Sequence, residues 1–178
     1  MVSDDPTEII DRLEHVEDAF GGYTTGRPIY EQYLDPEESN SAVIQLRKAC
    51  RVLDACRLLQ KHGGFHTSVI EMSFAAIERT LEFYALVASN DSVNDFREGH
   101  ERAYDRAAEL GILSSEISGR LKDIFSENRS ASYYRDTIST SAQADSLFDL
   151  SVAIHDYVVQ FAQFSHECRC QQWSPQQP

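Results

Sequence analysis

Lysine is almost missing from this chain: only Lys48, Lys61 and Lys122 occur, and every other basic residue is an arginine. Long apolar runs are missing too, and none approaches the ~18 residues that a membrane span needs. The opening residues, Met1-Val2-Ser3-Asp4-Asp5-Pro6, lack the basic and apolar regions of a secretory leader, so the expected compartment is the cytoplasm. No segment sustains the period-two alternation of a half-buried strand, and no internal repeat is evident. A His-Glu-x-x-His pair, a glycine-rich phosphate loop and a nucleophile elbow are all lacking. That excludes the enzyme classes legible from one short motif.

What is present is acid. Asp and Glu number 29 against 16 Lys and Arg, a net charge of −13. Acid excess with scarce lysine predicts a protein at home in very high salt, as in a halophilic archaeon. There the Debye length falls to ~3 Å at 1 M, so self-repulsion is screened while carboxylates keep the surface hydrated. The charge is uneven. From Arg97 to Arg135 seven basic groups balance seven acidic ones, so the rest of the chain carries the whole deficit. That neutral stretch is the part most tolerant of a polyanion, although Glu98 and Arg102 also read as an ordinary i,i+4 surface pair.

A hydrophobic fraction of 42% is ample for a core, and its spacing is helical. Ile9, Ile10, Leu13, Val16 and Phe20 make an amphipathic helix over 7–20, stopped by Gly21-Gly22. Residues 21–40, with Tyr23, Tyr30 and Tyr33, read as a loop that lays aromatics on a neighbour or as a linker. A helix over 41–62 ends at Gly63-Gly64. The next, 67–89, is apolar nearly all round, which places it at the centre of a bundle or in a subunit interface and is the main pointer to a homodimer. Ser92 caps a helix over about 93–110, ended by Gly111, and another runs from about Ser114 to Asn128. The polar segment 129–136 then interrupts. Thr140 with Gln143 forms a capping-box pattern for a last helix over 141–167, and Gln171 to Pro178 is a polar tail expected to fray. The expected fold is all-α, an antiparallel bundle of five to six helices over 41–168, with an extension over 1–40 and a flexible tail over 169–178.

Four cysteines raise the question of zinc. Cys50 and Cys56 have five residues between them and Cys168 and Cys170 one, with His166 just before, whereas structural sites favour two to four residues between paired cysteines. On a helix Cys50 and Cys56 would also point about 120° apart. The expectation is therefore buried free thiols, with no metal and no cofactor; a site linking the tail to helix 41–62 stays open. Of six scattered histidines, His100 stands beside Arg97 and Arg102 and could join a polar site. The richest segment is Glu127-Asn128-Arg129-Ser130-Ala131-Ser132-Tyr133-Tyr134. A guanidinium with phenols suits phosphate or base contact; the same residues also suit a structural corner, with Arg129 on helix C-terminal carbonyls.

The order of elements carries a resemblance. A central helix at 67–89, then Phe96-Arg-Glu-Gly-His-Glu-Arg-Ala-Tyr104, Glu109-Leu-Gly-Ile-Leu113, Arg120-Leu121, Asn128-Arg129 and Tyr133-Tyr134, then the capped helix from Thr140, is similar to the HEPN superfamily over roughly 41–165. These are small helical bundles, usually dimeric, found in toxin–antitoxin and other defence systems and often paired with a nucleotidyltransferase. The ribonucleases among them carry an Arg, four to six residues, then a His. Arg129 matches the Arg, and Tyr134, Arg135 and Asp136 occupy the positions permitted to the His. The resemblance thus implies a non-catalytic dimer that binds a partner protein or nucleotide through Asn128, Arg129, Tyr133 and Tyr134. The alternatives are a diverged ribonuclease acting on RNA through Arg129 with His100 or Tyr134, and a regulatory bundle with no ligand site.

Overall fold

The computed structural model describes residues 7–21, 29–97, 99–134 and 137–170. Among them are six α-helices and no strand: α1 (Thr7–Phe20), α2 (Ser41–His62), α3 (His66–Ala88), α4 (Glu101–Glu109), α5 (Ser115–Tyr134) and α6 (Ser141–Phe161). The protein is all-α, a helical bundle. No described helix is long and apolar enough to cross a membrane.

The chain divides into two compact units, 1–30 and 31–178. The first holds α1, whose apolar stripe is uncovered: Ile9, Leu13, Val16 and Phe20 are all exposed. The second holds the bundle together with the residues from Glu31 onward. Tyr33 does what the loop's aromatics were expected to do, its hydroxyl donating to Asp54 on α2 at 2.8 Å, while Tyr30 is exposed and Tyr23 lies outside the described residues.

The bundle is organised around α3. It packs along α2 on one side and α6 on the other, and α4 covers part of what remains. Val69, Phe74, Ile77, Leu81 and Phe83 are all but fully buried, each such side chain stabilising the fold by about 1.5–3 kcal/mol relative to exposure. The breadth of α3 is therefore used within the chain. The core continues through Ala42, Leu46 and Leu53 of α2 and through Ile154, Val158 and Val159 of α6.

The ends of the helices explain where the chain turns. Asn40 caps α2, its Oδ1 accepting from Ala42 and Val43 N–H. Gly63 stops the same helix at φ 72, its N–H returning to Leu59 and Gln60 carbonyls, a conformation glycine reaches without steric cost. Thr140 and Gln143 form the expected reciprocal box at the start of α6. Three boundaries differ from expectation. The 93–110 segment is split into a 3-10 turn, Val93–Phe96, and α4, with Gly99 at φ 145 between them. α5 does not stop at Asn128 but continues to Tyr134, so the polar residues after Arg129 are helical; their solvent-compatible side chains hid the periodicity.

The third difference matters most. α6 ends at Phe161, six residues before the expected stop at 167, because Gln163 takes φ 61. Gln163 N–H bonds the Gln160 carbonyl and Phe164 N–H the Val159 carbonyl, the paired bonds of a Schellman turn built without its usual glycine. Glu167 N–H to Phe164 O and Cys168 N–H to Ser165 O then curl 164–168 back toward the bundle.

Candidate functional site

That curl delivers two cysteines to a histidine. His155 faces inward from α6 and is 1% exposed, and Cys50 meets it from α2 with no exposure at all. Cys168, buried, and Cys170, half-buried, arrive from the returning segment. The Cys50 sulfur lies 3.7 Å from His155 Nε2 and 3.6 Å from the Cys168 sulfur. His155 Nε2 lies 3.4 Å from Cys168 and 3.3 Å from Cys170. All four side-chain donor atoms fall within 4.8 Å of one another. Cys168 and Cys170 are therefore folded against the core, not part of a fraying tail; residues 171–178 lie outside the described residues. All four cysteines are free thiols.

Neighbours fix this cluster in place. Thr80 Oγ1 on α3 sits 3.0 Å from His155 Nδ1, and the backbone N–H of Arg169 donates to the Cys50 sulfur at 3.3 Å. Arg47 of α2 ties the returning segment down through Glu167 at 2.8 Å and reaches Glu38 at 3.7 Å. Tyr33 stands beside the cluster. Its phenol is pushed up to about 12, by burial, then by its bond to Asp54, with Cys170 and Cys50 adding to the effect. Among the four groups, burial opposes a charged His155, but hydrogen bonds to Cys168 and Cys50 outweigh it and raise the ring to about 9. Hydrogen bonds from Cys170 and Cys50 hold Cys168 far below an ordinary thiol, and Cys170 keeps its proton against the same thiolate.

The cysteines pair across the fold, which is why their spacing along the chain did not disclose the set. Cys56 belongs elsewhere: its sulfur faces Val69 O and Ser73 on α3, as its angular separation from Cys50 requires. His166 lies over the Phe164 ring and is exposed. A sequence signal did exist in Cys168-x-Cys170, but its partners, Cys50 and His155, are 118 and 15 residues away from one or other of that pair.

The Arg129 junction forms a second candidate. His100 and Arg129 both rest on the Phe125 ring, with the His100 ring centre 5.5 Å and the guanidinium carbon 5.4 Å from its centroid. Behind them Glu78 of α3, 7% exposed, has Oε2 2.9 Å from His100 Nδ1. Burial raises this carboxyl above its usual range, with the bond to His100 opposing. Glu71, Glu78, His100, Phe125 and Arg129 line a cleft of about 190 Å³. Across α5 a separate groove of about 390 Å³ has Ile70, Phe74 and Leu147 in its lining, with Ile124 and Leu150 at 45% and 36% exposure. Asn128 lines this groove and donates to Glu71 at 2.9 Å. The Tyr133 and Tyr134 side chains, and Arg135 and Asp136 entirely, lie outside the described residues.

Residues 4–170 match the family described as Domain of unknown function (DUF8154). No curated protein and no solved structure matches the chain.

Proposed function

The chain belongs to this DUF8154 family, which brings no chemistry with it, and from the geometry we propose a non-catalytic, HEPN-like bundle that binds a partner protein in the cytoplasm by accepting an amphipathic helix between α5 and α6. The observation that carries this reading is the groove itself. Ile124 and Leu150 expose apolar surface along a concave strip next to the Arg129 junction, and helix-in-groove recognition needs such a strip to receive anchors spaced at i, i+3 or i+4 and i+7. Its surroundings are acidic. Glu127 lines the groove, and Asp149 is exposed on α6 beside the lining residue Leu150. The fitting helix is thus apolar on one face and basic on its flanks.

A photo-crosslinking residue at position 150 of the full chain, in cells that encode it, tests this. The expected adduct maps to a basic amphipathic helix of another protein and is abolished by Ile124→Asp without a change in Tm. Adducts confined to the same position of a second copy would make the groove a homodimer surface instead, and an acidic or extended segment would overturn the reading.

One observation favours a second reading, a diverged ribonuclease. His100 and Arg129 share the Phe125 ring, and Glu78 supports the His100 imidazole. In this reading Arg129 holds a phosphate while His100 moves a proton. RNA cleavage by the wild type, lost in both His100→Ala and Arg129→Ala, is the expected result; an unchanged rate in either variant removes this reading.

A further inference from the structure

We propose that Cys50, His155, Cys168 and Cys170 are the four ligands of one structural zinc ion. The distances fit the ion. A tetrahedral centre with bonds of roughly 2.3 Å to sulfur and 2.0–2.1 Å to nitrogen has edges of about 3.8 Å between sulfurs and about 3.5 Å from sulfur to nitrogen. The Cys50–Cys168 separation of 3.6 Å and the three sulfur–nitrogen separations of 3.3, 3.4 and 3.7 Å fall on those edges. The Cys50–Cys168 separation is far beyond the ~2.05 Å of a disulfide, and all four cysteines are free.

The composition of the set narrows the metal. Three thiolates and one imidazole, tetrahedrally placed, are the soft and borderline donors that zinc takes, whereas magnesium and calcium take oxygen. With all donor atoms within 4.8 Å, one ion fits between them; a sulfide-bridged iron cluster would hold its thiolates in pairs spread further apart. Four protein ligands leave no open position for water, so the ion holds the fold and does no chemistry.

The surroundings are those a zinc site uses. With Nε2 on the metal, Nδ1 carries the ring proton and donates it to Thr80 Oγ1, fixing tautomer and ring plane. The Arg169 N–H on the Cys50 sulfur offsets thiolate charge. The ligands also come from three places far apart along the chain: α2, α6 and the segment after the Gln163 turn. Beside the metal, the segment's own turn, the Phe164 ring set against Phe83 of α3, the Arg47–Glu167 pair and the Arg169 bond hold it. The ion therefore staples residues 164–170 to the bundle, and its binding energy adds to folding.

Metal analysis of the full chain, purified under reducing conditions, tests the proposal. The wild type is expected to carry one zinc per chain. Cys56→Ser, whose thiol lies outside the set, keeps it. Thr80→Val weakens zinc about ten-fold, and Cys168→Ser weakens it further. Cobalt substituted into the wild type should give intense tetrahedral visible bands with thiolate-to-cobalt charge transfer, a readout that needs no variant to fold. A wild type that takes up neither zinc nor tetrahedral cobalt overturns the proposal. So does Cys56→Ser losing metal to the same extent as Cys168→Ser.

Discussion

The His155 side of the bundle and the Glu78 side both bury ionisable groups, and they treat them in opposite ways. Around His155 each ring nitrogen has a neighbour within hydrogen-bonding reach, and three sulfurs close the cage. Around Glu78 one carboxylate oxygen meets His100, but the other is buried without a hydrogen-bond partner, as is the hydroxyl of fully buried Tyr104 nearby. An unpartnered buried polar atom costs about 1–3 kcal/mol. The first arrangement is what a protein builds to hold something permanently. The second trades stability for a polar cleft that opens on solvent between α3, α4 and α5, where packing is thinner and rearrangement is cheap.

The largest effect that would sharpen this contrast is removal of zinc. If the His155 side holds the ion, free zinc at a thousandfold Kd adds about 4 kcal/mol to unfolding stability. Dropping it with a zinc buffer should lower Tm and speed amide exchange in 162–170, while exchange in α4 and α5 stays unchanged. Equal loss of protection on both sides would break the comparison. Phe125→Ala comes next, at about 3 kcal/mol by urea unfolding. Phe125 is 6% exposed, meets Phe74 edge-on at 5.1 Å and carries both His100 and Arg129. That value is the low end for Phe→Ala, because a half-open site collapses more readily than a closed core; a loss above about 5 kcal/mol would show the cleft side to be as rigid as the rest.

The two sides were unequally legible in the sequence. The Arg129 junction could be found because its residues are neighbours along the chain, and His100 stood out for its arginine company. Glu78 could not, since a Glu on an apolar helix reads as a surface position, as Glu71 and Glu82 on the same helix also do. The cysteine set failed for a different reason. Spacing rules compare residues close in sequence, and here the ligands meet only after α6 stops at a glutamine in the left-handed conformation, a turn with no glycine to announce it. The fold itself was legible because α3 and α6 carry long apolar stripes and α2 is bracketed by Asn40 and Gly63-Gly64. The break at Gly99 and the extra turns of α5 were not, because polar residues satisfy helix and loop alike.

A smaller effect tests the cost on the Glu78 side directly. Burial raises this carboxyl, against His100 and Arg79, with Glu82 on the same helix adding to the rise. A carboxyl raised in the folded state binds its proton more tightly there. Its favourable contribution is full below the unfolded value of 4.5 and is lost as pH climbs through the folded value. Glu78→Gln, which keeps a carbonyl acceptor for His100, should therefore gain about 1 kcal/mol over wild type at pH 7. The gain should shrink toward zero near pH 4. Destabilisation at every pH would mean that the pair with His100 outweighs burial, and the contrast with His155 would fade.

The smallest effect lies at the far end of α4, where Arg106 grips Asp91 in a two-point pair, Nε to Oδ2 at 2.6 Å and Nη2 to Oδ1 at 3.1 Å. Here the shift has the opposite sign: the Arg106 hydrogen bond holds Asp91 below its usual value of 3.8. The stabilisation is present above that value and is lost as pH falls through the lower folded one. Both groups touch solvent, so Arg106→Ala should cost only about 0.5–1 kcal/mol at pH 7, most of it gone at pH 2. Salt separates this pair from the buried side. In molar salt, where the Debye length is ~3 Å, the cost of Arg106→Ala should fall further even as the wild type, at −13, gains stability from screened self-repulsion. A cost that persists in high salt would mean that the two-point geometry, and not long-range charge, holds α4 to the loop before it.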